Sequence, residues 1–307
     1  MDIEAVDPDL REATLKLPKT DPSKAWVRTA LRAATRVMPV PKIDGVTVDT
    51  VKFSGRRLRV YRPEARKGTA ALFWIHGGGL LFGDARQDEA LCAQTALELG
   101  IPVFSANYRF APDHPFPAAH DDVYEAWRWA LDHAGEYGVD PKRFVVGGES
   151  AGGGLAAGLV QRIHDEGGVQ PLAQWLFAPM IDDRTAADES LDAAAHWVWD
   201  NRANRAGWGG YLGDALGTTD VPPYAAAARR PDLSGLPPAY ISVGDIELFL
   251  EEDRIYAARL SGAGVDVTLD IVPGAPHGFE NWAKDTEPAR AMLRRARAWL
   301  HAMISTL

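Results

Sequence analysis

The stretch Phe144–Leu155, FVVGGESAGGGL, decides how this chain is read. A short apolar run, Phe144–Val146, leads into Gly148-Glu149-Ser150-Ala151-Gly152, a match to G-x-S-x-G, and then into the helix-compatible Leu155–His164. Strand, serine and helix in that order predict a sharp turn that exposes the Ser150 hydroxyl above a sheet. Such a turn strains the serine backbone, so it needs small neighbours, and the helix N-terminus favours negative charge developing beside it. Gly152-Gly153-Gly154-Leu155-Ala156-Ala157 also fits a dinucleotide-binding G-x-G-x-x-A loop. That reading leaves Ser150 and the upstream glycines without a role.

The flanking sequence predicts the same architecture. Ala70–Ile75 (AALFWI), Ile101–Ala106, Leu172–Ala178 and Ala239–Val243 are short apolar runs, and Asp121–His133 and Ala151–His164 have helical spacing. Val46–Phe53 alternates, Arg57–Tyr61 is strand-like, and Val265–Val272 and Pro288–Ile304 add a last strand and a closing helix. Apolar strands alternating with helices predict a mostly parallel sheet with helices on both faces.

Two further segments complete the serine's chemistry. His76-Gly77-Gly78-Gly79 follows the AALFWI strand, and a run of glycines lets main-chain N–H groups approach a developing oxyanion. The expected donors are the amides of Gly78, Gly79 and Ala151, with His76 shaping the loop. Of the eight histidines, His277 stands in the turn-forming PGAPHGF loop, Pro273–Phe279, just after the last strand, where a base can reach over the sheet. The orienting acid belongs on the loop after Ala239–Val243, in the chain order serine, acid, histidine, and two carboxylates stand there, Asp245 and Glu247.

Composition excludes several other classes. Of 307 residues, 33 are Lys or Arg and 42 Asp or Glu, a formal charge of −9, the wrong sign for neutralising nucleic-acid phosphates. No apolar stretch is long enough to span a bilayer, and the acidic start MDIEAVDPDLRE is unlike a secretory signal, so a cytoplasmic location without a stable membrane anchor is expected. The lone Cys92 cannot form an internal disulfide.

With these pieces in place the sequence resembles the hormone-sensitive-lipase-like (bacterial family IV) carboxylesterases of the α/β-hydrolase fold. The most specific likeness is Asn107–Ala119, NYRFAPDHPFPAA, similar to that family's Y-R-L-A-P-E-x-P-F-P-A stretch, which braces the floor of the site. The HGGG, G-x-S-A-G-G and HGF motifs agree. Glu149 stands where the family usually has Asp or Thr. Its D-P-L-R-D-E pattern falls on Glu247–Glu252, so the resemblance favours Glu247 over Asp245 as the acid. It implies a serine carboxylesterase for short- to medium-chain esters that uses no metal and no organic cofactor, with Ser150 as nucleophile. Its partner would be a small-molecule ester, and a homodimer stays open. An amidase, lactonase or acyltransferase would use the same residues, and a non-catalytic ligand-binding protein could share the fold.

The expected organisation is a catalytic domain of residues 46–186 and 229–307 under a helical cap of residues 1–45 and 187–228. In the first cap piece, Trp26, Ala30, Leu31, Ala34, Val37 and Met38 form an apolar helical face, and Lys24, Arg28, Arg32 and Arg36 recur as a basic stripe that reads as solvated. In the second, Trp197, Trp199 and Trp208 could line the substrate crevice or form ordinary core.

Overall fold

The computed structural model describes residues 1–305. Its strands are β1 (Val46–Phe53), β2 (Arg56–Pro63), β3 (Ala71–Ile75), β4 (Val103–Ala106), β5 (Phe144–Glu149), β6 (Gln174–Phe177), β7 (Ala239–Gly244) and β8 (Val267–Val272). The helices are α1 (Pro8–Lys16), α2 (Ala25–Val37), α3 (Glu89–Leu99), α4 (Ala118–Asp132), α5 (Ala151–Glu166), α6 (Asp183–Ala187), α7 (Asn201–Leu212), α8 (Leu250–Gly262), α9 (Phe279–Trp282) and α10 (Glu287–Ser305).

The eight strands form one sheet in the order β1-β2-β4-β3-β5-β6-β7-β8. From β4 to β8 neighbours run parallel, while β2 is antiparallel to both β1 and β4. Strands β3 and β5 lie mid-sheet and are wholly buried, which is why Ala71–Ile75 and Phe144–Val146 are continuous apolar runs with no polar alternation. One face of the sheet packs against α4, α5 and α8 through residues such as Val123, Leu159 and Tyr256. The other packs against α1, α3 and α10 through Leu10, Cys92 and Leu300. At roughly 1.5–3 kcal/mol for each fully buried large apolar side chain, these two layers fix the sheet as a rigid platform. Strand β5 continues three residues past the predicted run, through Gly147, Gly148 and Glu149, and so carries the chain directly into Ser150.

The N-terminal helices differ from the sequence reading. In α2 the buried position is Val27, with Leu31 half-buried, while Trp26 (71% exposed), Ala30, Ala34 and Val37 face outward. Nor is the basic stripe wholly solvated. Arg32 donates to the carbonyls of Leu81 (2.7 Å) and Ala111 (2.8 Å) and pairs with Asp113. The reason is chemical: loop carbonyls without strand partners need donors, and a guanidinium supplies several in a fixed fork. Helix α2 is therefore held to the body by its polar groups more than by its apolar ones. No helix among the described residues is long and apolar enough to cross a membrane.

One buried carboxyl group has a measurable consequence. Asp253, near the start of α8, is wholly buried, and neither carboxylate oxygen has a protein partner. Burial first, then the charges of Glu252 and Glu247, push its carboxyl well above the usual range. The folded state thus retains a proton that the unfolded chain releases above about pH 4, and this costs more stability as pH rises. Asp253→Asn removes the titration, so it should raise Tm, and by more at about pH 8 than at about pH 6. Equal shifts at both pH values in thermal melts would contradict this.

Candidate active site

Ser150 sits between β5 and α5 with φ 56° and ψ −124°, a left-handed backbone that a residue with a side chain adopts only under constraint. Three main-chain hydrogen bonds hold it. Its N–H donates to Phe177 O (2.8 Å), and its carbonyl accepts from Gly154 N (3.0 Å) and Met180 N (2.9 Å). The motif's glycines follow from close approach, since a Cβ on Gly148 would overlap the backbone of Gly152, and one on Gly152 would overlap the carbonyls of Ile75 and His76. Ser150 itself is 4% exposed.

The structure brings Ser150, His277 and Glu247 together. His277 Nε2 lies 2.9 Å from Ser150 Oγ, and His277 Nδ1 lies 2.5 Å from Glu247 Oε2. Asp245, the other candidate acid, is exposed and accepts from the Gly274 amide at 2.6 Å, so it closes the turn ahead of His277 without touching the imidazole. Burial disfavours the His277 cation, but the charge of Glu247 and its hydrogen bond together outweigh that, leaving the imidazole above its ordinary value.

The glycine loop after β3 lies against the serine. A Cβ on Gly77 would stand 3.3 Å from Ser150 Cβ. Gly78 and Gly79 have φ of 118° and 60°, and a side chain on Gly79 would run into the ring of Trp199. His76 is wholly buried and stacks on Tyr108, with ring centroids 4.5 Å apart. Burial pushes its pKa down to about 4, so it is a neutral part of the loop. The proline-rich stretch supports that loop: Tyr108 Oη donates to His76 O (2.9 Å), and Arg109 clamps the wholly buried Asp122, its Nη2 2.6 Å from Oδ1. Two cis peptides, Ala111-Pro112 and Phe116-Pro117, shape its course.

Of the four tryptophans in the expected cap, Trp199 and Trp208 are buried and Trp197 is half-buried, whereas Trp26 is solvent-facing. Helix α7 lies over the glycine loop, where a Cβ on Gly207 would stand 2.6 Å from Gly79 O.

Behind the serine is a set of residues that the sequence reading missed. Asn281 donates to both Glu149 and Asp88 Oδ1, and Asp88 Oδ2 accepts from Trp74 Nε1 at 2.6 Å. Glu280 is buried beside them. Burial chiefly, with mutual repulsion, pushes the Glu149 carboxyl well above its usual range and Glu280 to about 7, and burial pushes Asp88 to about 7 as well. These contacts span up to 193 residues, and the only sequence signal was the unusual Glu149 before the serine.

Comparison with known proteins bears on the fold and the family. A family profile of the α/β-hydrolase fold matches residues 72–281. The carboxylic ester hydrolase LipN of Mycobacterium tuberculosis is 37% identical over 83% of this chain and 69% of its own. The carboxylesterase NlhH of the same organism is 32% identical over 91% and 90%. Among solved structures, a bacterial heroin esterase superposes with a TM-score of 0.90 at 34% identity, covering 98% of this chain and 99% of the other. A sheet of this order, a serine at its mid-sheet turn and relatives of this kind place the chain in the hormone-sensitive-lipase-like carboxylesterases of the α/β-hydrolase family, as a carboxylic ester hydrolase.

Proposed function

We propose that the protein is a serine carboxylesterase acting on short- to medium-chain esters through an acyl-enzyme on Ser150. The observation that carries this reading is the continuous relay from Ser150 Oγ through His277 to Glu247, with spacings of 2.9 and 2.5 Å. In the first half-reaction Ser150 Oγ attacks the ester carbonyl while His277 Nε2 takes its proton. The amides of Gly78, Gly79 and Ala151 receive the oxyanion, and Glu247 stabilises the imidazolium. His277 then gives its proton to the departing alkoxide, and the alcohol leaves. A water molecule repeats the sequence on the acyl-enzyme, with His277 as its base, and releases the acid.

Residues 1–45 and 187–228 act as the cap in this scheme, with Trp199 against Gly79 placing one wall of the substrate crevice next to the oxyanion donors. The N-terminal amine of Met1 donates to Ala195 O, 3.0 Å away, and so ties the two pieces together.

Three outcomes test the reading. Ser150→Ala should abolish the p-nitrophenol burst from a short-chain ester and lower kcat by about a million-fold, and an undiminished rate would defeat the scheme. Glu247→Ala should lose about ten-thousand-fold in kcat, against less than about tenfold for Asp245→Ala; the reverse order would move the acid to Asp245. His277 must be neutral to act, and its pKa is raised, so kcat/KM should fall on acidification with a midpoint above about 6.5.

A further inference from the structure

A small cavity of about 10 Å³ lies under the His277 turn at the end of β7, bounded in part by Ala178, Ser242, Gly244, Glu247, His277 and Glu280. Three polar atoms of its lining residues are buried and have no protein hydrogen-bond partner: Ser242 Oγ, Glu247 Oε1 and Glu280 Oε1. Their residues are 2%, 5% and 3% exposed, so bulk solvent does not satisfy them either. Each orphaned polar atom in a dry interior costs about 1–3 kcal/mol, and three on residues that line one small cavity are candidates for a common partner. The volume is on the scale of a single water, which needs roughly 10–15 Å³ and two to four polar neighbours.

We propose that this cavity binds one ordered water, hydrogen-bonded to Glu247 Oε1, Ser242 Oγ and Glu280 Oε1, which makes Ser242 and Glu280 positioning residues for the acid behind His277. The proposal rests on the assignment of Glu247 as the orienting acid. A glutamate has three side-chain torsions, and the single bond from Oε2 to His277 leaves the carboxylate plane free to turn. A second anchor at Oε1 fixes that plane and keeps His277 Nε2 aimed at the serine. The donors suit the task. Ser242 supplies a hydroxyl hydrogen, and Glu280, buried among Asp88, Glu149 and Glu247, keeps its proton to about pH 7 and donates as a neutral acid. The water accepts these hydrogens and donates to the charged oxygen of Glu247, spreading its charge without a second ion.

A double-mutant cycle with a short-chain p-nitrophenyl ester tests this, alongside an atomic-resolution crystal structure of the wild-type enzyme. Ser242→Ala should lower kcat about tenfold with KM within about twofold. Glu280→Leu should do the same, and Glu280→Gln, which keeps a neutral hydrogen-bonding group, should retain more activity than Glu280→Leu. In a Glu247→Ala background Ser242→Ala should cost nothing further. The crystal structure should show one water within about 3.2 Å of all three oxygens. A full additional loss in the Glu247→Ala background, or an empty cavity in the wild-type crystal, overturns the water brace while leaving Glu247 as the acid. A Glu247→Ala enzyme with wild-type turnover overturns the acid assignment and the brace with it. Equal thermal stability of Ser242→Ala and wild type would separate positioning from a folding defect, and a Ser242→Ala enzyme with unchanged kcat overturns the proposal.

Discussion

The backbone of Ser150 is the constraint on which the rest depends. A left-handed serine costs about 1–3 kcal/mol, and three main-chain hydrogen bonds of about 1 kcal/mol each are enough to offset it. Those bonds come from β6, from the first turn of α5 and from Met180, so the turn is held by the middle of the sheet around it. The small residues beside it follow from the same constraint. With Gly148 against Gly152, and Gly152 against the carbonyls leaving β3, the helix starts close to the glycine loop.

From that point the site is assembled by loops at one end of neighbouring strands. The glycine loop leaves β3, Ser150 leaves β5, Glu247 follows β7 and His277 follows β8. Strand order therefore sets the reach of each group, and the turn ahead of the imidazole is itself pinned by Asp245. Below this layer the protein buries Asp88, Glu149 and Glu280 with few compensating cations, and holds them by hydrogen bonds and retained protons. Such a polar floor suits a site in which a proton moves and the backbone must not.

Much of this was legible in the sequence, for reasons that differ by element. Buried parallel strands announce themselves as apolar runs, and the G-x-S-x-G and HGGG segments are glycine-rich because backbone crowding makes them so. Chain order singled out His277 and narrowed the acid to two neighbours. Chain order left Glu247 and Asp245 side by side and only the family resemblance favoured Glu247; in three dimensions one faces the imidazole and the other a loop amide. The orientation of α2 was misread for a related reason. Helical periodicity reports which side is apolar, but here Arg32 on the basic side meets the loop carbonyls of Leu81 and Ala111. The buried links among Trp74, Asp88, Glu149 and Asn281 join residues far apart in the chain, and no local pattern encodes them.

The contact between Trp199 and Gly79 has a consequence for laboratory evolution of this enzyme. In the proposed scheme the indole that walls the crevice also props the segment bearing the amide donors. Trimming position 199 to admit bulkier compounds would release that prop, trading breadth of selectivity against turnover in the same step. Saturating position 199 alone would therefore sample the two traits as one. Variants that separate them should arise from paired libraries, in which Met180, beside Gly207, is varied together with Trp199 so that a new side chain takes over the support.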